Sequence, residues 1–431
     1  MTIAAGLLGQ LYGDGEMASI LSDRAGIAAM LRVEVALARA QAALGVIPAA
    51  AADRIAEATE GLDPDPADLA AEAARAGIAA QPVFAALRKT AGDAGGHVHY
   101  GATSQDIVDT GLALQLVQAL DLLGSRLASL DVRLGEKAMA YADLPIPART
   151  RHQIAAPTTL GAKIAVWRGL LRRNRTRLEE LRPRVLLVSL HGAAGTEAAF
   201  QGHGPALRMA MAEALELKAP DGPWHSARDG IAELAGWLSL VSGALGKMGL
   251  DLVQLGQSEV GEVAAGRGGG SSTMPQKANP VAAEALVSLA RLNAGDLAGM
   301  HHALIHAQER DGTALGLEWN ILPTMLERTA AALRIGTELA ETLAPRPDRI
   351  AATFATDRGR MDAEAASFLL AELTPRSEAL LIVAEALALV QADEELTLDK
   401  ALTRLRPGHD WHAALAPEKL TGAAPDQARE V

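Results

Sequence analysis

The chain contains no cysteine, which excludes disulfides, thiolate metal sites and a thiolate nucleophile. Positive charge is in deficit: 40 Lys and Arg against 52 Asp and Glu give a formal net charge of −12. That balance disfavours non-specific binding to nucleic acid or to an anionic membrane surface, so an anionic ligand must be met by a local positive site. No apolar run reaches membrane-spanning length without charges, and Met1-Thr2-Ile3-Ala4-Ala5-Gly6 lacks the basic start of a signal peptide. The expectation is a cytoplasmic protein. Sustained alternation and β-branched enrichment of the kind a sheet core needs are also missing, as is an internal repeat. With 49% hydrophobic residues among 431, these absences point to an almost wholly α-helical chain of two or three packed units.

Helical spacing is what the sequence has in quantity. Apolar residues from Met17 to Leu44 predict one helix over 16–44, stopped by Gly45, and shorter helices follow over 48–60, 66–76 and 81–90. Five long segments, 107–143, 158–181, 226–256, 281–305 and 318–343, read as an extended bundle, with Gly111, Gly124 and Gly135 placed for close helix approach. Boundaries fall at the polar loop after Gly95-Gly96 and at Pro345-Arg346-Pro347. They divide the chain into an N-terminal helical domain (1–105), a central long-helix bundle (106–344) and a C-terminal helical domain (345–431). Helices this long have more apolar surface than one subunit covers, so identical chains are expected to bury one face.

Three polar clusters, each at a bend between helices, carry candidate chemistry. The first, His99 to Thr110, offers Thr103, Ser104 and Asp106 at a helix start, where unpaired N–H groups attract anions. The second, Arg149-Thr150-Arg151-His152-Gln153 through Pro157 to Gly161, places two guanidinium groups, an imidazole and an amide within five residues, apt for several carboxylates. It is expected to close on a helix opened by Pro157. The third is Gly266-Arg267-Gly268-Gly269-Gly270-Ser271-Ser272-Thr273-Met274-Pro275-Gln276-Lys277-Ala278-Asn279-Pro280. Four glycines free its backbone, and hydroxyls, a lysine and an asparagine follow that can hold a carboxylate and move a proton. Pro280 is expected to open the next helix. The remaining conspicuous groups have plainer readings. His301, His302 and His306 lack an acidic cluster for metal and read as surface or interface histidines, 409–412 reads as a packing turn, and 172–177 as a solvated helix face.

The string Gly270-Ser271-Ser272-x-Met274-Pro275-x-Lys277-x-Asn279-Pro280, together with the other two clusters, resembles the three signature regions of the fumarase/aspartase superfamily over nearly the whole chain. The resemblance implies an all-α, long-helix bundle fold and a homotetramer whose active sites are shared between subunits. It also implies elimination or addition beside a carboxylate on a small polycarboxylate, without metal or cofactor. By the same resemblance Ser271 is the catalytic base, Lys277 and Asn279 hold the carboxylate being activated, and Glu284 is the catalytic glutamate. His99, Thr103, Ser104, Thr150, Arg151, His152, Gln153, Ser272 and Arg310 fall at substrate-contacting positions.

One departure narrows the chemistry. Lyases of the superfamily commonly carry histidine after the threonine of the second region, whereas Thr150 is followed here by Arg151. An Arg151–Glu284 pair could orient a cation but not cycle a proton. A departing amine needs a proton, while a carboxylate is already a good leaving group. This logic, with Pro223 to Asp229, Gln308-Glu309-Arg310, Glu318-Trp319 and Leu420 to Ala424, points to the carboxymuconate-cycloisomerase branch. The alternatives are an adenylosuccinate-type or other C–N lyase, and a silent helical protein that keeps only the fold.

Overall fold

The computed structural model describes residues 6–270, 273–274 and 277–430. They are mostly helical, with two small antiparallel ribbons, 145–150 with 153–159 and 263–264 with 344–345. The ribbons are the one departure from an all-helical reading. Two compact units share the chain: one of Met1–Leu127, Asn174–Gly243 and Ser288–Arg334, the other of Ala128–Arg173, Ala244–Val287 and Ile335–Val431.

Five long helices run over Ser104–Ala140, Leu160–Val185, Asp229–Leu255, Val281–His302 and Gly312–Thr342. The first is apolar enough for a membrane span by composition, but 56% of its most apolar window is buried within the fold, as in a core helix. Gly135 faces Arg168, where a Cβ would stand 2.8 Å from the guanidinium carbon. The missing side chain lets Arg168 reach Asp131 at 2.8 Å.

In the first unit the helix expected over 16–44 is broken. Gly15–Ile20 ends at Leu21, and Asp23–Ala43 begins afresh because the Ser22 hydroxyl accepts from the Ala25 N–H. Asp23–Ala43 packs with Ala49–Glu60, Ala80–Ala91 and Gly204–Leu215 around Val33, Leu37, Ile55, Phe84, Leu87, Leu207 and Met211, all buried. Pro66–Ala76 starts at Pro66 with Asp65 capping it.

The second unit carries its own C-terminal core, in which Ala363–Ala371, Arg376–Ala392 and Leu398–Leu405 enclose Leu370, Ala379, Val390, Leu402 and the fully buried Trp411. At its edge lies Asp362, 7% exposed, with one carboxylate oxygen lacking a hydrogen-bond partner. Burial, then the neighbouring carboxylates of Asp357 and Asp399, push it up to about 7. An unfolded aspartate ionises near 4, so between about pH 4 and 7 only the folded chain keeps this proton. Stability therefore falls as pH rises through that window and levels off above it. Relative to the parent, Asp362→Asn is expected to gain roughly 2–3 kcal/mol between pH 5 and pH 8, read by urea denaturation at both values.

Candidate active site

The first cluster belongs to the first unit. His99 has φ 63°, a left-handed backbone that a non-glycine residue adopts only when held. Glu34 holds it: one oxygen accepts from the His99 N–H at 2.9 Å, and the other lies 2.8 Å from Nδ1. The ring stacks on Phe84 with centroids 4.0 Å apart. Facing a carboxylate, Nδ1 is the donor of that contact. Gly101 follows at φ 77°, and a Cβ there would stand 2.8 Å from the Phe200 ring.

Asp106, in the first turn of the helix that starts at Ser104, is the hub of the cluster. Its oxygens accept from the N–H groups of Thr103, His191 and Gly192, from the Ser189 hydroxyl at 3.2 Å, and face His225 Nε2 at 2.7 Å. Burial drives this carboxyl up, but His225 and the backbone donors outweigh that and hold it below the ordinary range. Arg310 donates to Thr103 Oγ1 at 2.7 Å and to the Ala193 carbonyl at 2.9 Å. Its guanidinium thus fastens the His99–Ser104 loop to the Gly192-Ala193 stretch.

Beneath the hub, Arg228 is 1% exposed and pairs with Asp109 and Glu318, at 2.9 and 2.6 Å for the shortest contacts. Its face lies 4.7 Å from the Trp224 ring centroid. Burial would lower its pKa; Asp109 and Glu318 more than reverse that. His306 approaches Glu318 at 3.9 Å and its ring is 1% exposed, so the expected surface or interface histidine is a buried one. His301 and His302 are exposed.

The second cluster, in the other unit, is a β-hairpin and not a turn closing on a proline-led helix. Pro157 lies in the second strand opposite Pro147, and the helix begins at Leu160, where Thr159 Oγ1 accepts from the Ala162 N–H. Thr150 pairs with Gln153, leaving Arg151 and His152 as a two-residue turn with φ 49° and 67°. Such primed turns match the strand twist but favour Asn-Gly, so arginine and histidine are strained here. Replacing them together by Asn and Gly is expected to raise unfolding free energy by about 1–2 kcal/mol while lowering activity. Denaturation curves and steady-state kinetics on the same preparation check both halves.

Arg149 is not available to a substrate. It makes a bidentate pair with the fully buried Glu262, both contacts at 2.7 Å. Arg151 is the exposed guanidinium of the pair and makes no ion pair within the chain among the described residues, so the expected Arg151–Glu284 bridge is not formed there. His152 Nδ1 lies 3.4 Å from Gln254 Nε2.

The third cluster also lies in the second unit. Gly269 and Asn279 exchange backbone hydrogen bonds at 2.9 Å. Ser271 and Ser272 lie outside the described residues. Lys277 is exposed and its N–H bonds the Met274 carbonyl; Asn279 is half-buried. Helix Val281–His302 begins at the residue expected, with Pro280 just outside it supplying the first accepting carbonyl, to the Glu284 N–H. Glu284 is exposed on its first turn.

The helical architecture and these three clusters define a lyase-type enzyme. A family model described as "Lyase" matches residues 15–293, and the chain belongs to the fumarase/aspartase lyase family. It is 42% identical over 371 residues to a 3-carboxy-cis,cis-muconate cycloisomerase of Pseudomonas aeruginosa, covering 84% of this chain and 81% of the relative. It is 32% identical to an N-acetyl-S-(2-succino)cysteine lyase of Dickeya dadantii, over 99% and 95% of the two chains. A crystal structure of 3-carboxy-cis,cis-muconate lactonizing enzyme from Pseudomonas putida superposes with a TM-score of 0.92 at 36% identity, over 98% and 97% of the chains.

Proposed function

We propose that the enzyme is a 3-carboxy-cis,cis-muconate cycloisomerase, acting in aromatic-acid degradation as a homotetramer with shared active sites. The carrying observation is Arg151: an exposed cation on a strained turn, where a lyase that must protonate its leaving group would place a proton carrier. In the lactonising direction one substrate carboxylate oxygen bonds to the far carbon of a double bond. A proton from Ser271 adds to the carbon beside another carboxylate. The negative charge that develops on that carboxylate is met by Lys277, Asn279 and loop N–H groups. Arg151, Thr150, His152 and Gln153 on the hairpin, with His99, Thr103, Ser104 and Arg310 of the first cluster, would hold the remaining carboxylates. Glu284 would orient the cationic side. Apolar side chains left exposed on the long helices, Val132, Met139, Leu240, Leu250 and Leu292, support the tetramer, with 106–344 as its core between the flanking domains.

A second reading has an observation of its own. The N-acetyl-S-(2-succino)cysteine lyases match nearly end to end, and a thiol of pKa about 8.5 leaves as thiolate with little help from an acid, which Arg151 would also permit. Purified protein is given each substrate under ultraviolet detection. Loss of diene absorbance with the muconate, without release of an unsaturated acid from the succinylated thiol, is the expected result; the reverse pattern selects the lyase.

A further inference from the structure

A cleft of about 510 Å³ opens on the C-terminal core of the second unit and shares no residue with the three clusters. Phe354, Met361 and Leu415 form part of its wall, and Asp362, Asp399 and His412 stand among them. Asp362 closes the turn Arg360–Asp362, is 7% exposed, and receives no hydrogen bond at Oδ1 from any described residue. The two carboxylates near it do have partners. Asp357 accepts from the Met361 N–H at 2.7 Å, while Asp399 takes the Thr397 hydroxyl and lies 3.0 Å from His412 Nδ1.

The charges that act on Asp362 are both negative, those of Asp357 and Asp399. Nearby cations are placed elsewhere. Arg358 Nη1 donates to the Val390 and Asp393 carbonyls, both at 2.8 Å, and Arg360 reaches Asp357 at 3.9 Å. Lys400 is exposed, as is Glu418, which adds a further carboxylate to the cleft. A nearly buried carboxylate beside two others is costly once ionised unless a cation joins it. A metal ion does not suit the place: among the described residues no group of three or more His, Asp or Glu side chains converges to hold one. Apolar walls beside a lone carboxylate suit a cation on an aliphatic stem, which pairs its charge and buries its methylenes.

We propose that this cleft binds a small aliphatic ammonium ion, its N–H groups donated to Asp362 and its stem set against Phe354, Met361 and Leu415. Asp399 adds a second negative charge to the site. The binding does not depend on which reaction the enzyme catalyses. Because Asp362 gives up its proton at about 7, the ligand competes with that proton, and affinity should rise about tenfold from pH 6 to pH 8.

The test is calorimetric titration of the full chain, at matched ionic strength, with 1,4-diaminobutane and with n-butylamine, both protonated at pH 6 and pH 8. Butan-1-ol serves as the uncharged counterpart. At least one amine is expected to bind saturably at pH 8 and about tenfold more weakly at pH 6, and the alcohol not to bind. Asp362→Asn, which sheds an uncompensated charge and should fold well, is expected to weaken binding at pH 8 about tenfold or more and to flatten the pH dependence. His412→Gln removes the other side chain of the cleft able to change charge in this range and should keep that dependence. If Asp362→Asn does not fold, Asp399→Asn carries the test, with several-fold weakening expected. No binding by either amine, equal binding of the alcohol, affinity unchanged in Asp362→Asn or in its Asp399 substitute, or a pH dependence that vanishes in His412→Gln would overturn the proposal.

Discussion

Ser271→Ala is expected to lower kcat on 3-carboxy-cis,cis-muconate by roughly 10²–10⁴-fold with little change in KM, the scale of a positioned proton-transfer group. A free serine is a very poor base, so its use requires stabilisation of the alkoxide by N–H groups and a cation. The loop has the means to supply both. Gly269 and Asn279 are joined by paired backbone hydrogen bonds, its glycines let N–H groups approach a ligand closely, and Lys277 is exposed with its ammonium outside any described ion pair. Lys277→Met should lower kcat and raise KM together, because the ammonium is assigned both to binding the carboxylate and to stabilising the charge that develops on it. A parent-like rate in Ser271→Ala would remove serine from the mechanism and leave the fold-level assignment intact.

Arg228→Met is expected to destabilise the protein by about 3–5 kcal/mol, the typical cost of removing one partner from a buried ion pair. The variant leaves Asp109 and Glu318, 1% and 4% exposed at their side chains, without their shared cation. The effect reaches the site, since Asp109 lies on the same helix as Asp106, three residues on, and Gln105 donates to both Asp109 and the His225 carbonyl. The denaturation midpoint measures the loss. Asp362→Asn serves as a contrast, since removing a buried charge that has no counter-ion should stabilise above neutral pH.

The long helices were legible because apolar spacing persists over many turns. The same periodicity concealed the break at Leu21-Ser22, where the apolar pattern runs on and a hydroxyl cap decides the matter. The hairpin was hidden for a different reason. Pro147 and Pro157 disrupt the alternation that would signal strands, and Arg151-His152 lacks the Asn-Gly signature of its turn. Helix Gly204–Leu215 also went unread.

In the candidate site, residue types and their clustering were visible, whereas pairings across the chain were not. Arg149 looked like a substrate group because Glu262, its partner, lies 113 positions away. His99 depends in the same way on Glu34, which lies 65 positions away. Arg228 likewise stood in a resembling segment, but nothing local showed that it joins Asp109 to Glu318. Such assignments need the tertiary neighbours, which sequence spacing does not encode.

The most direct measurement is proton NMR of the product formed from 3-carboxy-cis,cis-muconate by the purified enzyme in deuterated water. The account predicts a γ-lactone carrying one deuterium on the carbon beside a carboxylate, with no second product. Unchanged muconate, beside release of an unsaturated acid from N-acetyl-S-(2-succino)cysteine or adenylosuccinate by the same preparation, would contradict it and assign the enzyme to elimination chemistry.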